Sequence, residues 1–261
     1  MANRSPRSPV NVSPVNALRE RYHAHLVSPR SVEEKDAEGG VHAKQDGRRE
    51  GRVASKETRR GMRAGAEWAT LTLKGWEALG QAWLLAPQDV FVWSDLHLQH
   101  ENIIRYAQRP FGGVFHMDNG LLVNAQAAVR PEQWLVFVGD VAMWRDRDTI
   151  TAWMANCPGR KALVLGNHDV RGRERPMCVE DWQAMGFEAV ADVAVLPAAH
   201  GLPDLWITHY PLPTSAIPRG TLNVHGHLHT HGLPGAYVNV CVENVGYTPR
   251  NLREWVKGKT G

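Results

Sequence analysis

Short runs of apolar residues, each followed by a polar cluster, recur along residues 89–230. The runs are Val90–Trp93, Trp134–Val138, Ala162–Leu165, Leu205–Thr208 and Leu222–Val224. Continuous apolar runs of this kind are typical of strands that are buried on both faces of a sheet. The pattern therefore predicts five buried strands.

Stretches with helical patterning separate the early runs. The predicted helices are Asn102–Ala107, Asn119–Val129 and Arg147–Asn156. Alternating strands and helices predict an α/β layered architecture. The later runs, from Leu205 to Asn244, are joined by short links rich in Gly and Pro. They predict a second sheet, and the whole would be a two-sheet β-sandwich flanked by helices.

The first part of the chain has a different composition. Residues 1–66 hold 14 Lys and Arg against 8 Asp and Glu, whereas residues 67–261 hold 16 against 19 and all ten Trp. Without a sustained apolar period, the first part cannot bury enough area to offset its ordering entropy. We expect a basic, low-complexity and largely disordered extension over 1–66, with a short helix near Val15 to Leu26, and one domain over 67–261. Residues 67–86 are apolar enough to pack on that domain, as helix or as strand.

Two interpretations of the basic extension remain open. Phosphate backbones attract basic segments, so the extension could tether a nucleic acid. A solvated extension or a misassigned start of translation is the favoured alternative, because the Arg residues are dispersed and lack interleaved aromatic residues.

Cysteine use and hydropathy bear on the compartment. Cys157, Cys178 and Cys241 are far apart and form no CxxC pair, which argues against a disulfide framework or a zinc ribbon. The chain has no apolar run of about 18 residues and no apolar signal segment at its start. We therefore expect a cytoplasmic protein that does not engage a membrane.

The polar clusters that follow the apolar runs share residue types that bind metals. The candidate ligands are Asp95, His97, Asp140, Asn167, His209, His227 and His229. Any one of them could have a purely structural role; Asp140, for example, could cap a helix. In open α/β sheets, bound molecules and ions lie beyond the carboxyl ends of the strands. Because these residues follow five successive strands, they predict one shared metal site.

Five sequence blocks carry a resemblance to a known family. In chain order they are Asp95-x-His97, Gly139-Asp140, Gly166-Asn167-His168-Asp169, His209 and Gly226-His227-x-His229. Over residues 90–230, about half of the chain, the sequence resembles the calcineurin-like metallophosphoesterases. The resemblance implies that family's fold and two divalent metal ions.

The resemblance also implies a role for each matched residue. Ligands of the first metal would be Asp95, His97 and His229. Ligands of the second would be Asn167, His209 and His227. Asp140 would bridge both ions, and a hydroxide between them would attack phosphorus in line. His168 would protonate the leaving group or stabilise the transition state, and Asp169 would orient His168 or a ligand.

The ligand types restrict the metal. Mixed imidazole and oxygen ligation suits Mn, Fe, Zn or Ni better than Ca. Manganese is the first expectation because of the family resemblance.

The substrate is less constrained than the reaction. Met143 and Trp144 stand where phosphoprotein phosphatases carry an Asp and an Arg, so a Ser/Thr protein phosphatase is not expected. Two segments, 100–111 and 239–249, resemble a small bacterial and phage subgroup without a settled substrate. We expect hydrolysis of a phosphomonoester or phosphodiester, with a nucleotide or nucleic-acid end as substrate. The alternatives are a nuclease acting on DNA or RNA strands and a non-catalytic metal-binding module.

Several further residues have two interpretations. Asn102 would face the phosphate or act as a helix N-cap. Arg171 and Arg173 would grip a second phosphate or a nucleic-acid backbone, or belong to a solvated loop. His225, which directly precedes the last block, would either orient a metal ligand or have only a structural role. The histidines expected to have only structural roles are His100, His116, His200 and His231.

Overall fold

The computed structural model describes residues 72–143, 146–170 and 176–260. The predictions for residues 1–66 and for the boundary at residue 67 lie outside this range. A helix, α1, covers residues 72–85, so the described part of the 67–86 segment is helical. A short 3-10 helix, Pro87–Asp89, leads from α1 into the first strand.

The first sheet has five strands in the order β4-β3-β2-β1-β9. They are β1 (Val90–Trp93), β2 (Trp134–Phe137), β3 (Arg160–Val164), β4 (Phe187–Ala191) and β9 (Arg250–Asn251). Strands β1 to β4 pair in parallel, and β9 pairs antiparallel to β1. The carboxyl ends of β1, β2 and β3 therefore lie at one edge.

The second sheet has four strands in the order β5-β6-β7-β8. They are β5 (Val193–Leu196), β6 (Leu205–Thr208), β7 (Leu222–His225) and β8 (Tyr237–Asn239). β5 pairs antiparallel to β6, whereas β6, β7 and β8 are parallel. The prediction of a second sheet in the later part of the chain is confirmed.

Helices accompany the strands. They are α2 (Glu101–Tyr106), α3 (Val114–Ala128), α4 (Arg147–Asn156), α5 (Val179–Ala184), α6 (Val242–Val245) and α7 (Leu252–Thr260). The bounds of α4 match the prediction, and its first turn is capped by the Asp146 side chain. α3 begins at Val114, before the predicted Asn119, because its buried face already includes Met117. A mixed α/β protein with two sheets, as the sequence predicts, is confirmed.

One buried cluster joins the two sheets. It contains Val92 and Val136 from the first sheet together with Ile207 and Val224 from the second. Helix α1 is fastened to the same core through Trp83, which is fully buried. No helix in the described ranges combines the length and apolar character that crossing a bilayer requires.

Candidate metal centre

The loops after β1 and β2 lie side by side. The amide of Asp95 donates to the carbonyl of Gly139 at 3.0 Å, and that of His97 donates to the carbonyl of Asp140 at 3.0 Å. These bonds continue the pairing of the two strands beyond their ends. They bring the side chains of Asp95, His97 and Asp140 to the same edge of the sheet.

Left-handed backbone conformations occur in the loops after β1, β2 and β7. Positive φ angles, from 48° to 67°, occur at Asp95, His97, Asp140, His227 and His229. Residues other than Gly rarely adopt this region, at a cost of about 1–3 kcal/mol each. Such strain persists where the surrounding structure holds it, and it clusters at functional sites. These five are predicted metal ligands, whereas the other described non-Gly residues with positive φ angles, Gln99, Gln108, His200 and Tyr247, are not.

Glycines allow the loops to approach one another. A Cβ at Gly139, where φ is +88°, would overlap the ring of His209. A Cβ at Gly226 would overlap the side-chain oxygens of Ser94 and Asp95. The glycine of each block is therefore required by the close packing of the neighbouring ligand.

The carboxylate of Asp95 is held through one oxygen only. Its Oδ2 accepts from Ser94 Oγ at 2.5 Å, from the His227 amide at 2.9 Å and from Cys241 Sγ at 3.2 Å. Its Oδ1 is buried and has no hydrogen-bond partner among the described residues. That free oxygen lies 3.9 Å from His97 Nε2 and 4.0 Å from His229 Nε2. Asp95, His97 and His229 therefore face one common point.

Asp140 occupies the centre of the cluster. Its Oδ1 accepts from the amide of His168 at 2.9 Å. Its Oδ2 lies 3.3 Å from His209 Nε2, 3.7 Å from His97 Nε2 and 3.9 Å from His168 Nε2. This carboxylate is thus in contact with both halves of the predicted ligand set, as a bridging ligand must be.

Three groups of side chains have the spacing of a metal site, with ligand atoms within 4.8 Å of one another. They are Asp95, His97 and His229; His97, Asp140 and His168; and Asp140, His209 and His227. The groups overlap through His97 and Asp140. They therefore form one continuous cluster.

The donor atoms of the cluster fit divalent cations. Asp95 Oδ1, His97 Nε2 and His209 Nε2 are buried without a hydrogen-bond partner among the described residues. Buried polar atoms are nearly always satisfied, because an unpaired one costs free energy. Cations at these points would satisfy them, and imidazole with carboxylate ligands suits transition metals.

Burial and mutual charge set the protonation of the cluster. Burial lowers the pKa of His97 and of His227, which favours the neutral imidazole that binds metals. Burial also opposes the charging of His209, but Asp140 and Asp95 raise its pKa to about 9. Although burial opposes ionisation of Asp140, the neighbouring His209 and His97 hold its pKa below the usual range.

Asn167 reaches the cluster through a tyrosine. Its Oδ1 accepts from the hydroxyl of Tyr210 at 3.0 Å, and the Tyr210 ring packs on His227 with the ring centroids 4.2 Å apart. Asn167 is therefore tied to the group of Asp140, His209 and His227, the second predicted metal site. Sequence reasoning missed Tyr210, and its position directly after His209 was the available signal.

Asp169 holds the backbone of Asp140, the predicted bridging ligand. Its carboxylate is fully buried and accepts from the amides of Asp140 at 2.8 Å, Val141 at 2.8 Å and Gly166 at 2.7 Å. Burial, together with the charge of Asp140, raises the pKa of Asp169 to about 7. Of its two predicted roles, these bonds favour orienting a ligand over orienting His168. The His168 side chain itself is 23% exposed, so it lies at the mouth of the cluster.

His100 has more than the structural role expected for it. Its Nδ1 lies 3.1 Å from Nδ1 of His97. This contact occupies the outer nitrogen of His97 and leaves Nε2 facing Asp95 and Asp140. The signal was present in the sequence, because His100 follows His97 by three residues across a tight turn.

Two predicted residues are not helix caps, and two others lie outside the described part of the chain. Asn102 is exposed in the first turn of α2, and the N-cap of that helix is His100, so the capping interpretation of Asn102 is wrong. The capping interpretation of Asp140 is also wrong, because the next helix is capped by Asp146. Arg171 and Arg173 lie outside the described residues.

The remaining histidines hold backbone or pack on rings. His200 Nε2 lies 2.8 Å from the carbonyl of Trp83, His116 Nδ1 accepts from the amide of Gly112, and His231 Nδ1 lies 3.3 Å from the carbonyl of Leu228. These contacts agree with the structural roles expected for them. His225 is fully buried and contacts the Gly226 carbonyl through Nδ1 at 2.8 Å.

Comparison with known proteins gives relatives without a stated activity. The chain is similar to the Uncharacterized protein MJ1445 of Methanocaldococcus jannaschii, at 24% identity over 182 residues, 66% of this chain and 92% of that protein. It is also similar to the Gene 66 proteins of Mycobacterium phages D29 and L5. Identity is 27% with the D29 protein, over 60% of this chain and 87% of that one. With the L5 protein it is 26%, over 52% of this chain and 75% of that one.

Solved structures include a protein that is similar to this chain. It is the Protein of Unknown Function AQ665 from Aquifex aeolicus, with a TM-score of 0.49 and 25% identity, covering 64% of this chain and 97% of that one. No protein-family profile matches the chain.

Proposed function

We propose that this protein is a phosphoesterase of the calcineurin-like class, with two divalent metal ions, and that it hydrolyses a phosphomonoester or a phosphodiester. The observation that carries the proposal is the overlap of three His and Asp groups through His97 and Asp140. Asp140, which two of the groups share, supports the proposal, since a carboxylate offers two oxygens and a pair of ions about 3.5–4 Å apart would need such a bridging ligand.

The contacts support a division of the ligands between two ions. Asp95, His97 and His229 would bind the first ion, and His209, His227 and Asn167 the second, with Asp140 between them. The calcineurin-like fold is part of the proposal, and two mixed sheets flanked by helices are compatible with it. Manganese is the proposed metal, with Fe, Zn or Ni as alternatives.

The chain's own residues hold the reacting groups. Two bound cations would supply Lewis acidity and an acidified water. Asp140 and Asp95 would hold the cations in fixed positions. One oxygen of each carboxylate accepts a hydrogen bond from a backbone amide, which leaves the second oxygen oriented toward the cluster. His168 would donate a proton to the leaving oxygen of the substrate, and its partly exposed position beside Asp140 supports this role.

The proposed substrate is a nucleotide or the end of a nucleic acid. The support is the basic composition of residues 1–66, since phosphate backbones attract basic segments. The alternative is a nuclease that cleaves within DNA or RNA strands, and an assay with such strands as substrate distinguishes it from an enzyme that acts on nucleotides or strand ends.

A hydrolysis assay tests the reaction class. We expect purified protein to cleave bis-p-nitrophenyl phosphate or p-nitrophenyl phosphate with Mn²⁺ and not with EDTA. The relative rates distinguish a diesterase from a monoesterase. Asp140→Asn should abolish turnover and weaken the binding of both metals. The matched control is Asp89→Asn, which lies before β1 at the far end of that strand and should retain activity.

His168→Ala separates chemistry from metal binding. We expect turnover to fall by about 10²–10⁴-fold, the usual contribution of a general acid, while two Mn²⁺ per chain remain. Loss of both metals in this variant would contradict the role given to His168. A folded wild-type protein that binds no transition metal would overturn the proposed function as a whole.

A further inference from the structure

A buried ion pair lies behind the first metal site and belongs to none of the three ligand groups. It consists of Arg109 and Glu243, whose side chains are 0% and 3% exposed. Glu243 Oε1 accepts from Arg109 Nε at 2.9 Å and from Arg109 Nη2 at 2.7 Å. A buried pair is costly to desolvate, so its presence beside a functional site calls for a physical explanation.

The guanidinium of Arg109 also holds the strained loop of the first site. Its Nη2 donates to the carbonyl of Asp95 at 2.6 Å, and its Nη1 donates to the carbonyl of Leu96 at 2.7 Å. Asp95 and His97 both have positive φ angles, so the carbonyls between them cannot follow the pairing of β1. The planar fork of an arginine can satisfy two such carbonyls and a carboxylate at once, which a lysine cannot.

The carboxylate of Glu243 also holds a ligand ring. Its Oε1 lies 3.1 Å from Nδ1 of His229, which leaves Nε2 of His229 facing Asp95. Carboxylates that accept from the outer nitrogen of a ligand histidine fix the tautomer and the ring orientation. The backbone of His229 is fixed separately, since Asn239 and Asn244 donate to its carbonyl.

We infer that Arg109 and Glu243 are positioning residues that set the affinity of the first metal site, formed by Asp95, His97 and His229. The pair holds the Asp95–Leu96 backbone with one partner and the His229 ring with the other, so one interaction fixes both the loop that carries Asp95 and His97 and the side chain of His229. The inference rests on the proposed function, because it assumes that a metal binds there. The group of Asp140, His209 and His227 has no bond to the pair in the described contacts, so it should be affected less.

Glu243→Gln tests the inference, because glutamine keeps the shape and removes the charge. We expect wild-type protein titrated with Mn²⁺ to bind two ions and to give a spin-coupled electron paramagnetic resonance spectrum. In Glu243→Gln, one ion should bind about 10- to 100-fold more weakly, the usual effect of losing such a partner. At Mn²⁺ concentrations that fill both wild-type sites, the variant should show the six-line signal of an isolated ion.

The matched control is Glu188→Gln, which makes the same change in the exposed pair of Arg160 and Glu188. It should bind two ions as wild type does. Arg109→Lys should weaken the same step as Glu243→Gln, because lysine lacks the fork. Glu243→Asp keeps the charge but, with a side chain one methylene shorter, moves the carboxylate away from Arg109 and His229. It provides a second folded variant, and its Mn²⁺ affinity should be intermediate.

The outcomes separate the inference from the proposed function. Two Mn²⁺ bound with wild-type affinity in folded Glu243→Gln, or in Glu243→Asp and Arg109→Lys, would overturn the inference and leave the proposed function standing. A wild-type chain that binds no Mn²⁺ would overturn the proposed function first.

Discussion

At the scale of single residues, the site is determined by which atoms are left unpaired. Asp95 uses one carboxylate oxygen to accept three protein donors and keeps the other free in a buried position. His97 is oriented in a similar way, because His100 contacts its Nδ1 and leaves its Nε2 facing the cluster. Supporting contacts of this kind orient ligands, and their loss typically costs 10–100-fold in metal affinity.

Tyr210→Phe tests this principle at the second site. The change removes the hydroxyl that donates to Asn167 Oδ1 and keeps the ring that packs on His227. We expect one Mn²⁺ to bind about tenfold more weakly, with the fold retained, because the Asn167 amide loses its fixed orientation. Calorimetric titration with Mn²⁺ measures the effect.

The control for Tyr210→Phe is Tyr237→Phe, which removes a hydroxyl bonded to the carbonyl of Leu212. Both variants lose one tyrosine hydroxyl, but only the first loses a contact with a predicted ligand. Equal metal affinities in the two variants would show that Tyr210 does not position Asn167.

At the scale of elements, prediction succeeded where apolar pattern and strand coincide. β1 and β6 have the predicted bounds because every residue of Leu205–Thr208 is buried and so are three of the four in Val90–Trp93. β9 could not be predicted, since Arg250 and Asn251 are both polar. It is a strand only because it pairs with Phe91 and Val92 and because Asn251 donates to the carbonyls of Pro87 and Val90.

In the candidate site, too, some residues could be predicted from local sequence and others could not. Ligand types at strand ends are visible in the sequence, because the parallel strands carry them to one edge. Arg109, Cys241 and Glu243 lie in the segments 100–111 and 239–249, whose resemblance to a family subgroup is visible in the sequence, but their contacts with the site depend on the tertiary structure. Glu243 lies 134 positions from Arg109, and Cys241 lies 146 positions from Asp95.

Helix α1 illustrates how an ambiguous segment becomes fixed by packing. The Trp83 side chain is fully buried, and its Nε1 donates to the carbonyl of Pro197 at 2.9 Å. Trp83→Ala should lower the free energy of unfolding by about 3–5 kcal/mol, the usual cost of deleting a buried aromatic side chain. Chemical denaturation measures it.

The control for Trp83→Ala lies two residues further along the same helix. Leu85 is 80% exposed, so Leu85→Ala should change the free energy of unfolding by less than about 0.5 kcal/mol. If both variants were equally stable, α1 would not be an integral part of the domain core.

At the scale of the whole molecule, the two sheets meet where the cluster lies. The Nδ1 atom of His209, after β6, is 2.8 Å from the carbonyl of Val138, after β2. The amide of Val242 donates to the carbonyl of Ser94 at 2.9 Å, which joins the loop after β8 to the end of β1. Binding of the proposed metal ions would be coupled to folding in such an arrangement, because the predicted ligands converge only when both sheets are in place.

This coupling predicts that metal raises the stability of the entire domain. A ligand that binds only the folded chain adds about 2.7 kcal/mol when its free concentration is a hundred times its Kd. We expect Mn²⁺ to raise the melting temperature above the value in EDTA, measured by differential scanning fluorimetry. Ca²⁺ should raise it less, since it prefers all-oxygen sites.

The Mn²⁺-dependent part of the stability should depend on Asp140, the residue in contact with both halves of the cluster. In Asp140→Asn the increment should nearly disappear, because both sites lose a shared anionic ligand, whereas Asp89→Asn should keep it. The comparison is made within each variant, between Mn²⁺ and EDTA, so a change in the stability of the metal-free protein does not affect it. An undiminished increment in Asp140→Asn would mean that Mn²⁺ stabilises the fold from somewhere other than the junction of the two sheets.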